Sequence, residues 1–231
     1  MATTSNAALR EKTPFHVSVF LSHSTSPLLP ARAIGMLYPS QTQIPRRGGT
    51  FASWTGRWLM KLTGWKFEGT PPDLPRLVIA VAPHTSNWDT VVGVMALWAL
   101  DLRLSFLAKH TLFVWPASAW LHSIGGIPVD RSAPHGFVGE AIKAFAGKEQ
   151  MWFALTPEGT RRKVERFRSG FLHIAAGAGV PVVLVYLDFA KRVVGFGPLL
   201  SPSADVAADL AQVEAFYMTV HGCNPENQHG K

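Results

Sequence analysis

The sequence predicts an α/β fold: a single domain on a mostly parallel sheet, flanked by helices on both faces. Three observations carry this. Near-continuous apolar runs at Leu77–Val81, Met151–Leu155 and Val182–Leu187 read as strands buried on both sides. Helix-length segments lie between them, the alternation that builds parallel sheets. At 231 residues and 47% hydrophobic composition, the chain is long and apolar enough for one sizeable core.

Residues 1–49 are rich in Ser, Thr and Pro, lack sustained periodicity and end in Arg46-Arg-Gly-Gly49, so they read as a disordered or weakly ordered basic arm. The net charge of +7 belongs to the first 67 residues, which hold eight Lys/Arg against Glu11 alone; the remaining basic and acidic residues cancel. An anionic membrane surface is the partner expected for such an arm, with nucleic acid as the competing reading. Arg10 and Lys12 precede Phe15–Leu21, but Pro14, His16 and Ser18 spoil that run as a signal-peptide core. Translation from Met36 is an alternative start. No apolar run approaches the ~20 residues needed to span a bilayer.

Over residues 50–66, Phe51, Trp54, Trp58, Leu59, Leu62 and Trp65 recur at helical spacing beside Arg57 and Lys61. Two readings stand: an interfacial membrane helix, or a stripe packed on the protein's own sheet. The domain proper is expected over 67–222.

The strand Leu77–Val81 ends at Pro83, and His84 sits at its C-terminal lip. Thr85-Ser86-Asn87 supply helix-capping chemistry, and Asp89 falls in the first helical turn, where the dipole favours a carboxylate. This turn can fold Asp89 back so that it holds one imidazole nitrogen and leaves the other facing a crevice. The pair is two-thirds of a triad without a serine, suited to deprotonating a substrate hydroxyl. It suffices if the electrophile is a thioester, whose thiol (pKa about 8.5) departs without much help. The spacing alone is weak, and helix capping beside a satisfied surface histidine is the competing reading.

Trp88–Leu100 is apolar on nearly every face, a core helix or one lining an acyl-chain pocket. Ser105–His110 reads as a strand with Lys109 at its lip, and Trp115–Ser123 as a short helix. Ile127 and Val129 form a short strand delivering Asp130 and Arg131 to the same edge, and an amphipathic helix covers 136–148. The strand Met151–Leu155 runs into Thr156-Pro-Glu-Gly-Thr-Arg161: Gly159 admits close backbone approach, and Arg161 offers a fork suited to phosphate. The rest of the basic run to Arg168 reads as a solvated face. Ser169 caps a helix through Ala178, Val193–Phe196 forms a last edge strand, and Ser203 caps a closing helix over 204–220. Residues 223–231 form a polar tail. Cys223, the only cysteine, reads as a free thiol, which excludes an intrachain disulfide and fits a reducing compartment. No CxxC pair or His-x-Glu spacing appears, so no metal is expected. P-loop and Rossmann glycine patterns are absent as well.

Four blocks in order, His84-Thr-Ser-Asn-Trp-Asp89, Gly125-Gly-Ile-Pro-Val-Asp-Arg131, Pro157-Glu-Gly-Thr-Arg161 and Val180-Pro-Val-Val183, make the chain resemble the glycerolipid acyltransferases typified by lysophosphatidic acid acyltransferase. The resemblance covers about Trp58 to Phe216. It implies the glycerol-3-phosphate acyltransferase-like fold, with His84 as base and Asp89 as its orienting acid. It further implies that Lys109, Arg131 and Arg161 hold the acceptor's phosphate. Glu158, Gly159 and Thr160 would line the acceptor site, with backbone N–H groups aiding the oxyanion. Arg162 departs from the family, where a small hydroxyl residue is usual. The expected reaction moves a fatty acyl group from acyl-CoA or acyl carrier protein to lysophosphatidic acid, with no further cofactor and no nucleic-acid partner. The expected location is cytoplasmic, peripheral on the inner face of a membrane. The alternatives are another acceptor, such as glycerol 3-phosphate or a lyso-aminolipid, and a non-catalytic membrane-binding protein on this scaffold.

Overall fold

A computed structural model describes residues 43–129 and 136–230. Seven strands form one sheet: β1 (Lys66–Glu68), β2 (Arg76–Ala82), β3 (Leu104–Lys109), β4 (Gly126–Val129), β5 (Met151–Leu155), β6 (Val182–Asp188) and β7 (Val193–Leu200), in the spatial order β1-β7-β6-β2-β5-β3-β4. Every pairing is parallel except β6 with β7, which share a hairpin. Six α-helices accompany them among the described residues: α1 (Thr50–Thr63), α2 (Asn87–Ala99), α3 (Ala117–Ser123), α4 (Gly136–Phe145), α5 (Gly170–Ala178) and α6 (Val206–Tyr217).

The apolar runs bury both faces of the sheet, because alternate side chains point opposite ways. Leu77, Ile79, Trp152, Val183 and Val185 join Met60 of α1 and Val92, Met95 and Ala96 of α2 in one core layer. Val78, Ala80, Phe153, Val182 and Leu184 join Phe145 of α4, Phe171 and Leu172 of α5 and Val213 of α6 in the other. Each of the larger aliphatic and aromatic side chains contributes about 1.5–3 kcal/mol by leaving water. α1 lies directly on α2: a β-carbon at Gly56 would stand 2.4 Å from the Ala99 nitrogen, so only glycine permits this approach.

Several elements depart from the sequence reading. β7 is not an edge strand, since the three-residue β1 pairs along its outer side from Lys66–Val193 to Glu68–Gly195. The end of the basic arm is docked on the domain. Ile44 is buried, Arg46 donates to the Leu100 carbonyl at 2.8 Å, and the Gly48 and Gly49 N–H groups donate to the Asp101 carboxylate. The rest of the arm, residues 1–42, lies outside the described residues. Asp205, rather than Ser203, caps α6 by accepting from the Ala208 N–H.

The aromatic stripe on α1 divides. Trp65 enters the core edge-on to Phe189. Phe51, Trp54, Trp58 and Leu62, spaced along one helix face, are 50–79% exposed. Among the described residues no helix is long and apolar enough to cross a membrane.

Candidate active site

The site lies at the carboxyl ends of β2 and β5, where the topology switches. β2 leaves through α2 toward β3 on one side, and β5 leaves through α5 toward β6 on the other. Diverging connections open a crevice at such a point. A second opening adds to it. β3 pairs with β5 only at Leu104 and Ser105, then parts from it to pair with β4 from Phe106 onward.

His84 stands two residues past β2. Its Nδ1 is 3.2 Å from Asp89 Oδ2, with the carboxylate side chain only 1% exposed. The same oxygen accepts the Thr85 N–H at 2.6 Å and the Ser86 N–H at 2.8 Å. Ser86 Oγ in turn accepts from the Trp88 N–H, which completes the cap of α2. Capping and imidazole orientation, posed by the sequence as rivals, are therefore done by one carboxylate. Asp89 Oδ1 is buried with no hydrogen-bond partner among the described residues. With Nδ1–H directed at Asp89, the lone pair falls on Nε2, the nitrogen available to a substrate.

His84 and Asp89 line a cavity of about 750 Å³. Its walls are Gly93, Val94, Leu97 and Leu100 from the α2 side, Phe106–Ala108 from β3, and Ala154 and Leu155 from β5. α2 thus serves as core on one face and cavity wall on another. Lys109, Gly159, Arg161 and Arg168 line the same cavity. A β-carbon at Gly159 would stand 3.3 Å from Cδ and Nε of Arg168, so the arginine lies across that glycine.

Residues 70–188, more than half of the chain, match the family model described as Acyltransferase. The chain belongs to the acyltransferase family. It is similar to 1-acyl-sn-glycerol-3-phosphate acyltransferase of coconut (Cocos nucifera), 30% identical over 151 residues, which are 62% of this chain and 47% of that protein. A protein of the same name from Escherichia coli (strain K12) is 28% identical over 165 residues, 67% of this chain and 65% of that one. The match to the chloroplastic enzyme BAT2 of Brassica napus covers 35% of its length, so the chain spans about half or less of these two plant relatives. The solved structure of the 1-acyl-sn-glycerophosphate (LPA) acyltransferase PlsC from Thermotoga maritima has a TM-score of 0.51 over 72% of this chain and 78% of that chain. At 21% identity that likeness speaks for the fold alone.

Within this acyltransferase-family chain, the structure gathers His84, Asp89, Lys109, Gly159 and Arg161 around one cavity. Arg131 lies outside the described residues. Glu158 and Thr160 were expected at the acceptor site, yet neither lines the cavity. The Glu158 carboxylate turns inward and accepts the backbone N–H of His84 at 2.8 and 3.1 Å, while Thr160 Oγ1 accepts the Arg162 N–H. The Gly159 N–H is committed to the Thr156 carbonyl and is not open to an oxyanion. Conversely Arg168, read from sequence as part of a solvated face, belongs to the cavity mouth. Its backbone N–H donates to the Pro157 carbonyl, which folds the loop back on itself.

Burial lifts the Glu158 carboxyl from its ordinary 4.5 to about 7; the His84 N–H opposes this and the Asp89 charge adds to it. A raised carboxyl pKa favours the protonated form in the folded state. Between about pH 4.5 and 7 the folded chain holds a proton that the unfolded chain has lost. Glu158 should therefore contribute fully below that window, and the contribution should fade as pH rises through it, by roughly 3 kcal/mol in all. Glu158→Gln keeps an acceptor for the His84 N–H but cannot ionise. Urea unfolding across this range should show the downward slope of the native chain flattened in the variant.

Proposed function

We propose that this protein is an acyltransferase that moves a fatty acyl group from acyl-CoA or acyl carrier protein to the hydroxyl of lysophosphatidic acid, giving phosphatidic acid, at a membrane surface. The observation that carries the reading is one cavity of about 750 Å³ with two chemistries: walls that are mostly apolar, and, lining the same space, a His–Asp dyad with Lys109, Arg161 and Arg168. The names of the relatives support the choice of acceptor.

His84 Nε2 accepts the proton of the acceptor hydroxyl as its oxygen attacks the thioester carbonyl. A C–O bond forms, the C–S bond breaks, and the imidazolium returns the proton to the departing thiolate. Asp89, itself buried, holds the ring and stabilises its charge. Lys109, Arg161 and Arg168 bind the acceptor's phosphate; a charge-assisted hydrogen bond contributes about 1.5–3 kcal/mol.

The membrane part of the reading rests on the exposed face of α1, where Phe51, Trp54, Trp58 and Leu62 stand clear of the core with Arg57 and Lys61 on the same helix. Aromatic side chains beside basic ones suit the headgroup level of an anionic bilayer.

The test is an acceptor panel with purified protein and acyl-CoA. Lysophosphatidic acid in anionic vesicles should be acylated with a kcat/KM at least about tenfold above that of monoacylglycerol, which lacks the phosphate. Equal or faster turnover of glycerol 3-phosphate would transfer the reading to that acceptor. Serine at the four exposed α1 positions should abolish co-sedimentation with the vesicles while sparing turnover of a monomeric short-chain acceptor.

A further inference from the structure

The family match ends at residue 188, and the last residues read from sequence as a polar tail. Instead they fold back onto the site. Gly222 packs so closely that a β-carbon there would stand 3.0 Å from Thr85 Oγ1 and 3.2 Å from Pro83 Cγ. Two residues on, the Asn224 backbone N–H donates to Thr85 Oγ1 at 3.0 Å. The Asn224 side-chain amide donates to the Thr85 carbonyl at 3.1 Å. Thr85 is the residue whose own N–H reaches Asp89 Oδ2.

The other end of the segment holds the loop that carries Arg168. The His229 ring packs on Phe167 at 4.8 Å between centroids, and its Nδ1 lies 3.1 Å from the Val164 carbonyl. Phe167 precedes Arg168, and its N–H donates to Glu214 of α6. Between the two ends, Gln228 is 2% exposed. Its Oε1 accepts the Gly222 N–H, and its Nε2 donates to the carbonyls of Val220 and Tyr217. Burying such an amide is costly unless its hydrogen bonds are made, and here they close the loop into a rigid brace.

We propose that residues 220–230 are a positioning clamp for acyl transfer, with Asn224 as the positioning residue that fixes the Thr85 turn and, through it, the Asp89–His84 geometry. The chain of contacts runs Asn224, Thr85, Asp89, His84, with each link a hydrogen bond or close polar pair. The proposal rests on the acyltransferase reading for its kinetic consequence, and on geometry alone for its spectroscopic one.

Two variants of the full chain test it. Asn224→Ala removes the side-chain donor; Asn224→Asp keeps the shape and the backbone bond but cannot donate to the Thr85 carbonyl. In the acyl-CoA assay both should lose kcat by about tenfold or more with KM for either substrate unchanged, since a small misplacement of a base is felt in the chemical step. Without substrate, nitrogen NMR of the His84 imidazole should show the Nδ1–H signal, held by Asp89 in the native chain, shifted and exchange-broadened in both variants. His84 signals that coincide with those of the native chain, in whichever variant is folded, would overturn the clamp. Lower thermal stability with unchanged kcat would overturn it equally. A native chain without transferase activity would remove the reading of function, and the imidazole spectrum would still decide the clamp.

Discussion

His84→Ala should lower turnover by about 10²–10⁴-fold, the range that a positioned general base supplies, and should leave the fold intact. The turn that carries His84 is held by backbone groups that survive the substitution: the residue-84 N–H to Glu158, and the Thr85 and Ser86 N–H groups to Asp89. The variant loses the imidazole and little else. Release of thiol from acyl-CoA with lysophosphatidic acid, read beside a thermal melt, separates chemistry from folding. Turnover near that of the native chain would end the mechanism. Asp89→Asn is the companion case. Oδ2 alone faces the Thr85 and Ser86 N–H groups and His84 Nδ1. An asparagine that places its oxygen there keeps all three partners, puts its amide where Oδ1 lies buried, and lacks the charge that stabilises the imidazolium, so turnover should fall.

The extent to which the sequence foretold this site follows from how local each interaction is. The dyad was legible because Ser86 and Asp89 form a capping box, a device confined to one helical turn, and the imidazole lies within reach of it. The strands of the core were legible because two-sided burial writes continuous apolar runs. Glu158 was misplaced because its partner is 74 residues away, across two neighbouring strands whose order no local pattern fixes. β1 was missed because Lys66-Phe-Glu is too short to show a period, although Phe67 is core. Asn224 and Gln228 look like any polar tail, and only the return of the chain after α6 gives them partners. Trp54, Trp58 and Trp65 share one spacing, so sequence could not divide Trp65 from the two on α1. That division depended on where the helix stops, at Gly64 with its positive φ of 77°.

The cations at the mouth give the second large effect, and Arg168 decides how the cradle is built. Arg161→Ala and Arg168→Ala should each raise KM for lysophosphatidic acid by about ten- to a hundredfold, the equivalent of one charge-assisted contact. kcat should change less, because the phosphate is remote from the bond being made. Monoacylglycerol should be nearly indifferent to both substitutions, which separates lost phosphate binding from general damage. Arg168 should prove the stronger of the two. Its side chain is laid across Gly159 and its backbone is tied to Pro157, so less freedom is lost when it binds. Arg161 has no comparable tie among the described residues; both arginines are exposed, so both contributions should shrink as salt approaches physiological strength, where the screening length is about 8 Å. Lys→Ala at position 109 should be the mildest, an ammonium giving a point charge where a guanidinium gives a fork. An unchanged KM in Arg168→Ala, with Arg161→Ala impaired, would return Arg168 to the solvated face and leave the phosphate to Arg161 and Lys109.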